Sequence, residues 1–263
     1  MSEIKQRSKL ATITRRGLLV GSAAVVGGAA FGFWKYKQPH DNPLALKSES
    51  DDAVLTPYII INQSGITVFS PRAEMGQGVY TTLTALVAEE LDVTLEQVTV
   101  EHSPPANIYY NAAVLEEGIP FAHTDTSRIA EAMRGFIKVP AKLYGLQITG
   151  GSSSVADAYT KMRTAGAAAR HALIMAAAEK WGIKTTSLKT HEAHVIAPNG
   201  DQLSYLELAS SAATVELPQN PTLKPKSEWK ILGKSQARVD VVAKSTGTAT
   251  FGIDTELPDM LYA

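Results

Sequence analysis

Two glycine-centred stretches carry the groups best suited to chemistry. The first is Glu74-Met75-Gly76-Gln77-Gly78, which runs directly into Val79–Leu91. There Val79, Leu83, Leu86, Val87 and Leu91 fall on one face at helical spacing, so the turn is expected to open a helix. Such a turn is expected to leave backbone N–H groups free to meet an anion, at the end where the helix dipole favours negative charge. Gln77 adds a neutral amide that both donates and accepts, which suits a heteroaromatic edge or a metal-bound oxygen better than a bare phosphate. The second stretch is Thr149-Gly150-Gly151-Ser152-Ser153-Ser154, ahead of a long helical pattern over about Asp157–Trp181. No Lys follows its second glycine, so it is not a phosphate loop of the G-x-x-x-x-G-K type. Ser152–Ser154 lack the G-x-S-x-G elbow of a nucleophilic serine. Each glycine stretch also has a plain alternative, a helix start that meets no ligand.

The elements around these stretches follow from pattern. Gln38–Thr56 is polar, with Pro39, Pro43 and Pro57 near its ends, and reads as a linker. Tyr58–Ile61 and Ile66–Ser70 are β-rich runs around Asn62-Gln63-Ser64-Gly65, a hairpin signal that delivers the chain to the first glycine turn. Val98–Ser103 reads as a strand stopped by Pro104-Pro105. Ala106–Asp125 has little periodicity and reads as a long loop, and a helical pattern covers Ser127–Val139. In the long helix Met162, Ala165, Ala169, Leu173 and Ala176 form a narrow small-residue stripe, with Gly182 as its cap. His194–Ala197 and Gln202–Tyr205, joined by Pro198-Asn199-Gly200-Asp201, give a second hairpin signal. Pro218, Pro221 and Pro225 mark a boundary, beyond which Trp229–Asp240 and Ala243–Asp254 read as β-rich. The last residues, Leu257–Ala263, read as the start of a strand and of a domain cut in its opening residues.

Composition narrows the function classes. An apolar content of 44% and a charged content of 19% are those of a folded protein. With no cysteine, the chain itself holds no disulfide and no thiolate-bound iron–sulfur cluster. Residues 1–37 carry a net charge of +6, leaving the rest about −7 with scattered, balanced cations, so no nucleic-acid footprint is read. The basic start has its own explanation. Thr14-Arg15-Arg16-Gly17-Leu18-Leu19 resembles a twin-arginine export signal, followed by a moderately apolar run to Phe33. A membrane span is the alternative, but the five glycines in Gly17–Phe33 make it short and weakly apolar. Val20 stands where such signals often carry Lys, and no small-x-small cleavage site follows, so an uncleaved membrane tether stays open. Export of a folded protein also points to a cofactor inserted beforehand.

Three motifs occur in one order: Glu74–Gly78 with its helix, Thr149-Gly150-Gly151-Ser152 with its helix, and Gly247-x-Ala249-x-Phe251-Gly252-x-Asp254 through Leu261-Tyr262-Ala263. Together they resemble the large subunit of the xanthine dehydrogenase/aldehyde oxidase family of molybdenum hydroxylases. The match looks closest to the isoquinoline 1-oxidoreductase β-subunit branch, whose members also begin with a twin-arginine signal. It covers most of the chain after Thr56.

The resemblance implies an α+β fold: a molybdopterin-binding lobe with a mixed sheet and packed helices over residues 57–221. Before it stand a signal or anchor (1–37) and a linker (38–56), and after it the truncated start of a hammerhead-like domain (222–263). It implies a molybdopterin dinucleotide as cofactor. Gly76, Gln77 and Gly78 would touch its pterin or phosphate, and Thr149, Gly150, Gly151, Ser152 and Ser153 would hold its dinucleotide part. It assigns no catalytic residue to this chain, because the family's general base lies in a later segment. Glu74 is therefore read as fixing its own loop, Tyr109 and Tyr110 as packing rather than substrate stacking, and His102 and His123 as satisfied or exposed side chains, with pterin or substrate contact as the alternative. The implied activity is hydroxylation of N-heterocycles or oxidation of aldehydes in the periplasm. The implied partners are an iron–sulfur small subunit and the missing C-terminal segments. Two other readings share the same motifs, a non-catalytic exported lobe that binds a pterin dinucleotide or another subunit, and a truncated remnant.

Overall fold

The computed structural model describes residues 20, 27–28, 30–47, 51–122 and 124–261. The twin-arginine stretch, His123 and the closing Tyr262-Ala263 lie outside them. A helix α1 (residues 30–37) and a short α2 (Pro43–Lys47) lead into a four-stranded sheet in the order β1-β2-β3-β4. Its strands are β1 (Ala53–Thr56), β2 (Ile59–Asn62), β3 (Gly65–Ser70) and β4 (Val98–His102). The first hairpin forms as expected, Ile59 pairing with Val68 and Asn62 with Gly65. The Asn62 side chain accepts the Ser64 N–H at 2.9 Å, the local bond that favours asparagine in a turn. Ile66, Val68 and Ser70 alternate inward along β3.

Strands β3 and β4 are parallel, and a parallel pair needs a crossover. Helix α3 (Val79–Leu91) supplies it, with the bounds that its apolar spacing predicts. The segment 71–78 therefore leaves the carboxyl end of β3. The carboxyl end of β4 lies beside it, where the Ser103 N–H donates to the Ser70 carbonyl at 2.9 Å.

Helix α5 (Ser153–Trp181) packs along α3 with the predicted small-residue stripe buried and Gly182 as its left-handed cap. A β-carbon at Gly166 would sit 2.7 Å from the Val87 carbonyl oxygen and 2.9 Å from the Glu90 β-carbon, so only glycine permits this approach. Helix α4 (Arg128–Tyr144) runs past the Val139 limit read from sequence and through Pro140. Pro140 is exposed, so water can meet the carbonyl that its missing N–H leaves unbonded. Among its described residues the irregular stretch before α4 holds two short 3₁₀ turns, Asn107–Tyr109 and Ala113–Gly118.

A second sheet of β5 (Lys189–His191), β6 (His194–Ile196) and β7 (Gln202–Ser204) is antiparallel throughout. Strand β5 escaped the sequence reading because its turn is Glu192-Ala193. Both residues stand at positive φ (43° and 61°), the primed hairpin geometry without its usual Asn-Gly mark. Helix α6 (Tyr205–Ala212) starts at a Ser204/Glu207 capping box, and the Tyr205 hydroxyl donates to the Leu91 carbonyl at 2.7 Å.

The β-rich reading of the C-terminal stretch is corrected. Among the described residues no strand follows β7; a short helix α7 (Val241–Thr246) and turns stand there instead, and Leu257–Leu261 is no strand either. Val242, Phe251 and Ile253 are exposed with no strand alongside, and β-propensity acts only through pairing and burial.

Residues 224–240 instead form a strap running antiparallel along α3. Buried Glu90 accepts the Lys224 N–H at 3.0 Å, and buried Glu89 accepts the N–H groups of Lys230, Ile231 and Leu232 at 2.7–3.0 Å. Near the other end of α3 the Val239 N–H donates to the Thr81 hydroxyl at 3.1 Å.

Candidate cofactor-binding site

As the chain leaves β3 it passes through Arg72, a fully buried arginine. Its Nη1 donates to the carbonyls of Pro71 (2.7 Å) and Tyr109 (2.8 Å). Its Nη2 donates to the Tyr110 carbonyl (3.2 Å) and to Asp157 Oδ2 (2.6 Å), in the second turn of α5. The other oxygen of Asp157 accepts the Ala112 N–H at 2.8 Å, and Lys161 Nζ reaches Oδ2 at 2.7 Å. Burial lowers the pKa of both Arg72 and Lys161, and the Asp157 carboxylate opposes it. One carboxylate thus ties the exit of β3, the 109–112 segment and the start of α5. That tie fixes where the two glycine turns stand relative to each other.

The turns touch directly. The Ala73 N–H, immediately before the first, donates to the Thr149 hydroxyl, which opens the second, at 2.9 Å.

Within the first turn, Gly76 and Gly78 stand at φ 102° and 84°, conformations in which a side chain is strained. The expectation that their N–H groups are open is corrected. Glu74 Oε1 accepts the N–H of Gly76 (2.7 Å) and of Gly78 (3.0 Å), and Oε2 accepts that of Tyr80 (3.1 Å). The turn's own carboxylate fills the anion position at the start of α3. Burial raises the Glu74 pKa, but those three N–H bonds and the Arg238 charge outweigh it and hold the group below the ordinary glutamate value. A carboxylate so held is a weak base, which fits its reading as the loop's own fastener. Gln77 is also engaged, Oε1 accepting the Met75 N–H at 2.6 Å and Nε2 donating to the Ala73 carbonyl at 2.9 Å.

The second turn is different. Among the described residues the N–H groups of Gly150, Gly151 and Ser152 donate to no protein acceptor. Gly151 and Ser152 both take left-handed φ (56° and 49°), and Ser152 caps the 29-residue α5. Consecutive amides without a protein acceptor at a long helix's start are a setting suited to an anion. Ser153 faces the other way: its buried Oγ donates to the Gly150 carbonyl at 2.6 Å and accepts from Asn111 Nδ2 at 2.7 Å. Exposed Glu117 stands beside Gly151, close enough that a β-carbon there would meet its carboxylate at 2.9 Å.

Of the other residues weighed from sequence, Tyr109 is buried, edge-on to Tyr58, with its hydroxyl donating to the Pro57 carbonyl at 2.6 Å. Tyr110 lies under Lys161 Nζ, 3.7 Å from its ring centroid, and His102 is exposed on β4. The residues that build the site but escaped sequence reading are Arg72, Asn111, Asp157 and Arg238. Besides local partners such as Pro71, Val114, Lys161 and Asp240, each bonds a group between 37 and 164 positions away, which spacing along the chain does not reveal.

Residues 2–112 match a family model described as a molybdopterin cofactor-binding domain, a span that includes the first glycine turn and ends before the second. The chain is 29% identical, over 97% of its length, to the membrane-bound aldehyde dehydrogenase (pyrroloquinoline-quinone) of Gluconacetobacter polyoxogenes, and covers 29% of that protein. It is 25% identical, over 95% of its length, to the β-subunit of isoquinoline 1-oxidoreductase from Brevundimonas diminuta, and covers 33% of it. These matches support a molybdenum hydroxylase family. They also support a molybdenum cofactor. One subunit of the nicotinate dehydrogenase of Pseudomonas putida is 29% identical over 78% of the chain, which covers 14% of it. The chain thus spans a third or less of the length of these relatives, two of which are named as subunits. The α+β architecture, with its mixed sheet and packed helices, is compatible with a cofactor-binding domain of this family. The residues present fit the group: open amides at Gly150–Ser152 suit its phosphates, and the adjoining first turn, its anion position already filled, offers a neutral rim to an uncharged heterocycle.

Proposed function

We propose that this chain is the N-terminal, cofactor-binding part of a molybdenum-dependent oxidoreductase that hydroxylates N-heterocycles or oxidises aldehydes. The observation that carries this reading is the bond between Ala73 and Thr149, which brings both glycine turns to one place at the carboxyl end of β3. Gly76, Gln77 and Gly78 would face the pterin, and Gly150, Gly151 and Ser152 would hold the phosphates by their N–H groups. Thr149 and Ser153 would shape the second turn from behind. Bound there, the cofactor supplies the two-electron redox chemistry that amino-acid side chains lack.

The chain is inactive alone in this reading. Further large-subunit segments supply the general base, and an iron–sulfur small subunit takes the electrons. The protein acts in the periplasm, reached through its twin-arginine segment. Among the described residues no helix is long and apolar enough to cross a membrane.

Gly150→Ala tests the site. A β-carbon at Gly150 meets no atom within 4 Å beyond its chain neighbours, so the fold accepts it, while the added methyl group crowds the open space beside the amides proposed to hold the phosphates. The expected result is an unchanged melting midpoint, with pterin and molybdenum co-purifying at a level lower by about tenfold, roughly one phosphate hydrogen bond. Full cofactor content in that variant would remove the second turn from the site.

A further inference from the structure

The strap and the first glycine turn meet at one side chain. Arg238 Nη1 donates to the Gly76 carbonyl at 2.7 Å, and its Nη2 donates to Glu74 Oε1 at 3.2 Å. Its orientation is set from behind: Nε and Nη2 form a fork on Asp240 at 2.9 and 2.8 Å, and Lys244 grips the same carboxylate at 2.5 Å. We propose that Arg238 is the positioning residue of the first glycine turn, through which the strap sets the surface that Gly76, Gln77 and Gly78 present.

Three observations support this. Among the described residues, Arg238 is the one cation paired with Glu74, whose charge is otherwise met only by the partial charges of N–H groups. Gln77 spends both ends of its amide inside the turn, so Arg238 ties the turn's outer rim to a separate part of the chain. The strap from which Arg238 projects is itself anchored on buried Glu89 and Glu90. An arginine fork can serve a carbonyl and a carboxylate at once; an ammonium group of lysine cannot hold both in fixed directions. The Arg238 side chain is 35% exposed, so its removal should loosen the turn and leave the α3–α5 core intact.

The proposal rests on the cofactor reading above only for what the turn contacts. Its test therefore has two arms, on Arg238→Ala and Arg238→Lys in the full chain. In the first, amide hydrogen exchange is followed at Gly76, Gly78 and Tyr80. Exchange there should quicken by about tenfold in the alanine variant, the size of one charge-assisted hydrogen bond, with α5 amides and the melting midpoint unchanged. Lysine should restore the slow exchange only in part. In the second, pterin release on dialysis is compared for protein purified with its cofactor, and should be faster in the alanine variant by a similar factor. Unchanged exchange, or equal quickening across α5, overturns the positioning role. Quickened exchange with unchanged release overturns the link to the cofactor. A wild-type protein that never carries a pterin overturns the cofactor reading, and the exchange arm then still decides Arg238.

Discussion

Glu74 shows how one side chain changes the meaning of a motif. A Gly-x-Gly turn at a helix start is usually argued as an open anion site, and here the residue two positions ahead of the first glycine closes it. Because the Glu74 pKa is held below the ordinary 4.5, its bonds contribute fully above that value and are lost as the pH falls through the lowered one. Acidification should therefore move the Gly76, Gly78 and Tyr80 amide signals together in an NMR titration, with a midpoint below 4.5. A midpoint at or above that value would mean that the carboxylate does not hold the turn. That Glu74 fastens its own loop was legible in the sequence; that it does so by taking the N–H groups of Gly76, Gly78 and Tyr80, and so closes the anion position, was not, because the direction of those amides is set by the folded turn. Arg72 was less legible still: a cation next to a strand gives no sign that its partner is Asp157, 85 positions on.

At the scale of elements, local pattern carried far. The bounds of α3, both hairpins and the buried stripe of α5 follow from apolar spacing and turn residues, which act over a few positions. The failures share one cause. Strand β5 turns on a non-glycine pair, α4 passes a proline, and the valines and phenylalanine after residue 240 find no strand to pair with. In each case surroundings outvoted propensity. The contact between α3 and α5 is the element-scale feature that mutation reads best. Gly166→Ala should destabilise the protein by about 1–3 kcal/mol by pushing the helices apart, seen as a melting midpoint lower by several degrees. An unchanged midpoint would mean that the two helices can part at little cost.

For the whole molecule, the strap matters most. It joins sequence beyond the proline-marked boundary to both ends of α3, so whatever displaces residues 224–240 also reaches the first glycine turn. The proposed export route is a whole-molecule property too, because the twin-arginine pathway carries folded proteins. Arg15→Lys combined with Arg16→Lys should leave the folded protein in the cytoplasm, measured by cell fractionation. Normal export of the double variant would remove the signal assignment.

The sequence alone determined α3, the small-residue stripe of α5 and the two marked hairpins, that two glycine turns open the two packed helices, and that the motifs follow a molybdenum-hydroxylase order. These depend on neighbours within a few residues, where periodicity and turn chemistry act. The sequence also determined that Glu74 fastens its own loop, but only the tertiary structure decided that this closes the first turn's glycine amides to an anion while the amides of the second stay open. It also decided that a buried Arg72–Asp157 pair places them together and that a distant arginine clamps the first. Those outcomes depend on which polar and charged groups the fold brings within hydrogen-bond distance of one another, and chain separation carries no record of that.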